Sequence, residues 1–207
     1  MKIASITFMI FSSVLINATA ICQGSAGPVN YLNTPLNMSF NNNNYSLSWT
    51  SHPANNYYKQ EYIQKGETAE KFSSMLMLEV LDSKVNVKDA AANKIAELEK
   101  MKSGNPYINY ETSYDAAKGE QILDFMITAN SRDGKEVVIA ERNIYRYTAF
   151  VNQKGEKGLL LVAMSVRSYG TESKKFIEKA KSGKADLVSK VKDFKIPAIS
   201  VKPGKTV

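Results

Sequence analysis

The spacing of hydrophobic residues predicts six or seven strands and two main helices. Apolar and polar residues alternate along the strand segments, whereas apolar residues recur every three or four positions along the helical ones. The predicted strands cover residues 45–50, 57–63, 75–81, 107–114, 121–129, 136–151 and 159–169. Because the last three are joined by tight turns, one of them at Asp133-Gly134, we expect an antiparallel meander. The element order is typical of a single-domain α+β fold with a mainly antiparallel sheet.

Side-chain alternation also assigns faces to individual strands. Trp49 falls on the same face of the first strand as Tyr45 and Leu47. Asp124 falls opposite the apolar face of its strand, which predicts that it points toward solvent. The run 75–81 is apolar on nearly every position, as expected for a central strand covered on both faces.

Capping residues bound the two predicted helices. Asn86 is a favourable N-cap for a helix over residues 87–102. Thr171 is the expected N-cap of a second helix, which extends over residues 171–194. The apolar stripe of this second helix continues across Gly183, so the pattern predicts one helix that kinks or breaks at the glycine.

The N-terminus matches an export signal. An apolar run over residues 3–16 follows a short basic start, and the small residues Ala18 and Ala20 fit a signal-peptidase site. The run is too short to span a bilayer. We therefore predict that residues 1–20 are a cleaved signal peptide, with an uncleaved anchor as the alternative. No later segment approaches membrane-spanning length, so we expect the mature chain in the periplasm or outside the cell.

Three further segments follow the predicted cleavage site. Residues 21–44 are rich in Asn, Gly and Pro and predict a flexible segment, residues 45–196 predict the α+β domain, and residues 197–207 predict an unstructured tail. Cys22 is the single cysteine, so an intramolecular disulfide is excluded. Since Ile21 is a poor match to a lipoprotein signal, a free thiol is the simplest reading, with lipidation or an intermolecular disulfide left open.

Three sequence segments resemble a group of uncharacterised secreted bacterial proteins. They read EYIQKGETAEKF at 61–72, ERNIYRY at 141–147 and MSVR at 164–167. The order of elements over residues 57–194 is similar to the PsbP/Mog1-like fold, an antiparallel sheet with helices on its faces. The resemblance implies an accessory binding role, and it transfers no catalytic residue because fold alone does not define function.

Composition narrows the chemistry. The 207 residues are 43% hydrophobic, which suffices for one good core. One histidine and one cysteine are too few for a zinc site or a disulfide framework. The sequence contains no nucleophile elbow, phosphate-binding glycine loop or HExxH motif. His52 precedes Pro53 in a predicted turn, where we expect an exposed imidazole without a function. We expect no cofactor and no metal.

Positive charge is concentrated at the C-terminal end. The formal net charge is +7, and residues 166–207 carry all of this excess. A basic helix attracts anionic surfaces or an acidic partner, although a solvated outer face is the simpler reading. The pattern has lysines without interleaved aromatic residues, which disfavours sequence-specific nucleic-acid binding. The candidate binding residues in this region are Lys174, Lys175, Lys179 and Lys181.

Three arginines form a second candidate site. Arg142 and Arg146 fall on the same face of one predicted strand, and Arg167 lies on the next strand. Together they predict a basic patch on the sheet for carboxylate or phosphate groups. The alternative is that each pairs with a carboxylate across strands, such as Asp124 or Glu141.

These observations favour an exported, non-catalytic binding or accessory protein. Its expected partner is another protein or an anionic envelope surface. A first alternative is a carrier of a small apolar ligand, held between sheet and helix and lined by Met75-Leu76-Met77-Leu78. A second alternative is a hydrolase in which two distant carboxylates meet in a cleft.

Overall fold

The protein was examined as a computed structural model, which describes residues 27–201. The predicted signal peptide and Cys22 lie outside the described residues. The strands are β1 Asn37–Phe40, β2 Asn43–Ala54, β3 Tyr57–Ile63, β4 Ser74–Leu81, β5 Asn109–Asp115, β6 Glu120–Asn130, β7 Val137–Val151 and β8 Lys157–Tyr169. The helices are α1 Val87–Lys102, α2 Glu172–Ser182 and α3 Lys184–Asp193. The α+β class is confirmed, with more strands and helices than expected.

All eight strands form one antiparallel sheet in the order β1-β2-β3-β4-β8-β7-β6-β5. The predicted meander is present, since β6, β7 and β8 are neighbours. The two halves of the sheet join at its centre, where β4 pairs with β8 from Ser74 opposite Val166 to Leu81 opposite Leu159. Helix α1 follows β4 and leads to β5, so the chain crosses the sheet from its centre to one edge. The two edge strands are β1 and β5.

Both faces of the sheet are covered. On one face, which we call the α1 face, α1 packs over residues such as Leu123 and Leu161. On the other face, the α2–α3 face, both C-terminal helices pack over residues such as Met126 and Ile144. Asp124 lies on this second face and is buried, contrary to the prediction, because α2 excludes solvent there.

The segments on either side of the predicted domain belong to the core. Leu32 is fully buried, and its carbonyl accepts a hydrogen bond of 3.1 Å from the Ser200 amide. The Asn-rich run contains the turn between β1 and β2, where Asn41 and Asn42 adopt φ values of 49° and 63°. Two successive positive φ values define the hairpin turn that asparagine tolerates best after glycine. The expectation of flexibility over residues 27–44 and of an unstructured tail is therefore wrong for the described part of both segments.

The helix predictions were correct for α1 and partly correct for the C-terminal pair. The side chain of Asn86 caps α1 by accepting a 2.8 Å hydrogen bond from the amide of Lys88. The single predicted C-terminal helix is instead two, separated by Gly183. Thr171 occupies the N-cap position of α2, but its side chain makes no capping hydrogen bond.

A β-bulge corrects the expected face of Trp49. Leu47 lies opposite Tyr62 and Trp49 lies opposite Glu61, so the register shifts by one residue between them. A bulge of this kind moves all following side chains to the other face. Trp49 therefore lies on the α1 face, where the residue is 40% exposed.

Candidate functional site

Arg142 and Arg146 lie on the α2–α3 face, as their spacing predicts, and both are buried in ion pairs. Arg142 donates two hydrogen bonds to the carboxylate of Asp124, from Nε at 3.0 Å and from Nη2 at 2.8 Å. Arg146 forms the same two-pronged pair with Glu120, at 3.0 Å and 2.6 Å. Such bidentate geometry engages both oxygens of each carboxylate.

Arg146 also connects the sheet to α3. Its Nη1 donates to the carbonyl of Phe194 at 2.9 Å and to that of Val191 at 3.3 Å. These carbonyls belong to the C-terminal end of α3, where a cation is favourable. Arg146 is therefore committed to holding α3 against β7.

Arg167 lies on the opposite face from the other two arginines. It is opposite Glu141 in the β7–β8 register, and its Nε donates to Oε2 of that residue at 2.6 Å. Its guanidinium also lies 4.0 Å from the centre of the Phe72 ring, a cation–π contact. The expected patch of three arginines is therefore not formed. Arg167 lies opposite Glu141, an odd number of positions from Arg142 and Arg146 along β7, so it points to the other face. Each arginine is also neutralised by a carboxylate within the sheet.

The predicted lysines of α2 occupy its outer side. Lys174, Lys175 and Lys179 are exposed, whereas Ile177 is buried against the sheet. Lys175 forms an exposed ion pair of 3.0 Å with Glu172, one helical turn earlier. Exposed pairs of this kind are weak, so they leave the lysine available to other anions. The side chain of Lys181 lies outside the described part.

A groove of about 390 Å³ lies between the β1–β2 hairpin and the end of α3. Its walls include Lys190, Lys195 and the ring of Phe194. Lys190 is paired with Asp186 at 2.6 Å. The groove therefore holds two lysines together with the carboxylate of Asp193.

His52 is buried, so the expectation of an exposed imidazole is wrong. Its ring stacks on Tyr58 with centres 4.2 Å apart, and Tyr31 lies 5.3 Å away. One ring nitrogen, Nδ1, is 3.0 Å from the carbonyl oxygen of Tyr57. The imidazole fills the core between β2, β3 and the N-terminal segment.

Sequence reasoning missed a buried ion cluster on the α1 face. Lys59 lies 2.8 Å from Glu61 and 3.7 Å from Glu79 on the neighbouring strand, and all three are buried. Tyr57 donates a 2.7 Å hydrogen bond to the second oxygen of Glu79. The sequence features that could have indicated this cluster are Glu79 in the apolar β4 run and the opposite charges of Lys59 and Glu61 in the tyrosine-rich β3.

The electrostatics of this cluster favour a fixed lysine cation. Burial lowers the pKa of Lys59. The nearby carboxylates of Glu61 and Glu79 together raise it by more than burial lowers it, so the pKa lies above its ordinary value. Burial and the Glu79 carboxylate raise the pKa of Tyr57 as well. Because the cation lies between the two carboxylates and neutralises them, this arrangement is suited to structural pairing of strands rather than to proton transfer.

The residues expected to line a pocket for an apolar ligand lie outside the two described cavities. Met75 and Met77 lie on the α1 face, Leu76 and Leu78 lie on the other, and all four are packed in the core. None of them lines the 390 Å³ groove or the cavity of about 10 Å³ beside Arg142. Two carboxylates, Glu111 and Asp124, do line the smaller cavity, where Asp124 already accepts two hydrogen bonds from Arg142. Glu61 and Glu79 line neither cavity.

Within residues 27–201, no cluster of three or more His, Cys, Asp or Glu residues is arranged to hold a metal ion. No helix in this part of the chain is long and apolar enough to cross a membrane. The architecture therefore defines a single-domain α+β protein built on one antiparallel sheet.

A protein-family model matches residues 32–196, most of the chain, and the chain belongs to that family. The match begins at the buried Leu32 and ends just beyond α3, so it spans the whole sheet. No curated protein and no solved structure matches the chain.

Proposed function

We propose that the chain is an exported, non-catalytic binding protein that contacts an anionic envelope surface through α2 and α3. The observation that carries the proposal is the exposure of Lys174, Lys175 and Lys179 on the side of α2 that faces away from the sheet. Residues 172–195 hold eight lysines and four acidic residues. A surface with this excess attracts phosphate and carboxylate groups, and attraction falls as salt screens it.

Export is supported by the sequence of residues 1–20. Their basic start, apolar run and small residues at the cleavage positions are those of a signal peptide. The segment resemblance to secreted bacterial proteins and the PsbP-like order of elements support the same compartment and an accessory role.

The lysine surface is favoured over the arginines for a physical reason. Arg142, Arg146 and Arg167 are buried, and each already faces a carboxylate within hydrogen-bond distance. An external anion would have to displace that carboxylate and leave it buried without a partner, which costs about 3–5 kcal/mol. Lys174, Lys175 and Lys179 are exposed, so an external anion that binds them leaves no carboxylate buried without a partner.

Charge reversal tests the proposal. Changing Lys174, Lys175, Lys179 and Lys181 together to Glu should leave folding intact and weaken binding to vesicles of phosphatidylcholine with phosphatidylglycerol. We expect a loss of at least about 100-fold, since each lysine near an anionic surface contributes about 1 kcal/mol. Vesicle co-sedimentation at low and moderate salt measures the effect, and circular dichroism checks the fold.

A matched control reverses four exposed lysines in loops and strand ends elsewhere. They are Lys118, Lys135, Lys154 and Lys157. This variant has the same net charge as the α2 variant, so it should lose much less binding if location matters. Equal losses in the two variants, or binding that salt does not weaken, would contradict the proposal.

A further inference from the structure

Strand β5 forms an open edge of the sheet. It pairs with β6 on one side, without a register shift from Asn109 opposite Met126 to Asp115 opposite Glu120, and no other described strand pairs with it. In an antiparallel strand about half of the backbone N–H and C=O groups point away from the paired neighbour. These groups of β5 are a template for a further strand.

β5 lacks several of the usual protections of an edge strand, although it carries two charged side chains, Glu111 and Asp115. The opposite edge, β1, is only four residues long, whereas β5 has seven. β5 contains no lysine, no proline and no bulge, the devices that normally prevent pairing between edges. Tyr114 is 44% exposed on this strand, and Tyr107, just before it, is 37% exposed.

We propose that β5 pairs in antiparallel orientation with β5 of a second copy of this chain. The two-fold axis passes between the two Thr112 residues, perpendicular to the sheet, and joins the two sheets into one. The contact is isologous, as in most homodimers. It goes beyond the proposed function and does not depend on it.

Geometry restricts the register of such a pair. A two-fold axis perpendicular to the sheet keeps every side chain on its own face, and residues opposite each other in an antiparallel pair share a face. Along each strand, the axis must therefore lie level with a residue and not midway between two successive residues. Of the possible centres, Thr112 is the one that pairs all seven residues of β5, because it is the middle residue of Asn109–Asp115.

Charge favours the same centre. With the axis at Thr112, Glu111 lies opposite Ser113 of the second copy and Asp115 lies opposite Asn109. Moving the axis by one residue places Glu111 opposite itself, or opposite Asp115, and like charges directly across strands are destabilising. The Thr112 register avoids both direct contacts and leaves Glu111 only diagonal to Glu111 and Asp115 of the second copy.

The aromatic residues are complementary in this register. Tyr110 of each copy lies opposite Tyr114 of the other, on the α1 face, and cross-strand aromatic pairs stabilise a sheet. Each ring is already positioned by a lysine of α1, with Lys88 4.1 Å from the centre of Tyr114 and Lys102 5.9 Å from that of Tyr110. The same axis leaves both α2 helices on one side of the joined sheet.

Substitution of the exposed Ser113 tests the contact and its register together. Ser113→Lys places a cation opposite Glu111 of the second copy and should tighten the dimer, whereas Ser113→Glu should weaken it. Because the two pairs related by symmetry change together, we expect the dissociation constant of the dimer to change by about threefold or more in each direction. Sedimentation equilibrium of the full chain over a concentration series measures the dissociation constants.

The sign of the lysine effect separates this contact from general repulsion. The chain carries a net charge of +7, so an added lysine would weaken a non-specific association. A chain that stays monomeric at its highest soluble concentration overturns the proposal. A dimer in which both substitutions act in the same direction overturns the register.

Disulfide trapping gives an independent readout in a Cys22→Ser background. Thr112→Cys places two thiols opposite each other, with Cα atoms about 4.5–5.5 Å apart, within disulfide reach. Ser113→Cys is the control, because its symmetry mate is offset by two residues along the strand, beyond the ~7 Å limit. Rapid covalent dimerisation of the first variant alone supports the register, and equal or absent cross-linking of both overturns it.

Discussion

At the scale of single residues, the three arginines predicted to form a binding patch are held in ion pairs inside the fold. Arg146 holds Glu120 on β6 and two carbonyls at the end of α3, so one side chain joins three elements. Its role is to fix α3 on the sheet. That role, unlike ligand binding, predicts a large effect on stability.

We therefore expect Arg146→Met to lower the free energy of unfolding by about 3–5 kcal/mol, because Glu120 is left buried without its partner. The double variant with Glu120→Met should recover most of this loss, since two apolar side chains replace the pair. Urea unfolding of the three proteins measures the difference. Equal stability of wild type and the single variant would show that the pair does not hold α3.

Two buried tyrosines provide an opposite pair of predictions. Tyr147 is 1% exposed, and its hydroxyl has no hydrogen-bond partner among the described residues. The hydroxyl of Tyr62 is 2.6 Å from that of Thr34 and accepts a 2.7 Å bond from Gln60. Tyr147→Phe should raise the free energy of unfolding by about 1 kcal/mol, and Tyr62→Phe should lower it by about 1–2 kcal/mol. Thermal and urea unfolding measure both, and a loss of stability in Tyr147→Phe would contradict the assignment of an unsatisfied group.

At the scale of elements, the two helix N-termini on the two faces differ in how they are capped. The Asn86 side chain satisfies a backbone amide of α1, whereas the Thr171 side chain satisfies none in α2. Asn86→Ala should cost about 0.5–2 kcal/mol of stability. Thr171→Ala should lower the stability by less than the lower end of that range, because its side chain makes no capping hydrogen bond. Comparable losses in the two variants would contradict this structural difference. Urea unfolding again provides the measurement.

Elements fixed by local signals were predicted closely. Helix α1 and strand β3 have the bounds that periodicity and capping predicted, 87–102 and 57–63. Strand β1 was missed because its turn is made by two asparagines in an Asn-rich run, which is equally typical of a flexible segment. The bulge before Trp49 was also missed, since no local residue pattern marks it.

The candidate site was less predictable, because it depends on contacts between distant segments. Asp124 and Glu141, which pair with Arg142 and Arg167, were named in advance only as examples of possible cross-strand partners. The burial of His52 depends on Tyr31, from a segment predicted to lie outside the domain. The Lys59 cluster depends on the β3–β4 register, which hydrophobic alternation alone does not give.

At the scale of the whole molecule, charge is divided between an interior of neutral pairs and a surface of lysines. The arginines that could hold an anion form ion pairs inside the sheet. The net positive charge therefore lies on α2, α3 and the chain beyond them. This division supports a surface that attracts an anionic partner without a dedicated pocket. It also predicts that the association is sensitive to salt.

The most direct test is to cross-link the tagged chain in its own cell envelope, at low and at moderate salt, and to identify what is captured. We predict capture of anionic envelope material that moderate salt largely removes, and loss of that capture when Lys174, Lys175, Lys179 and Lys181 are reversed to Glu. Capture of one dominant protein that resists salt and the charge reversal would contradict the account.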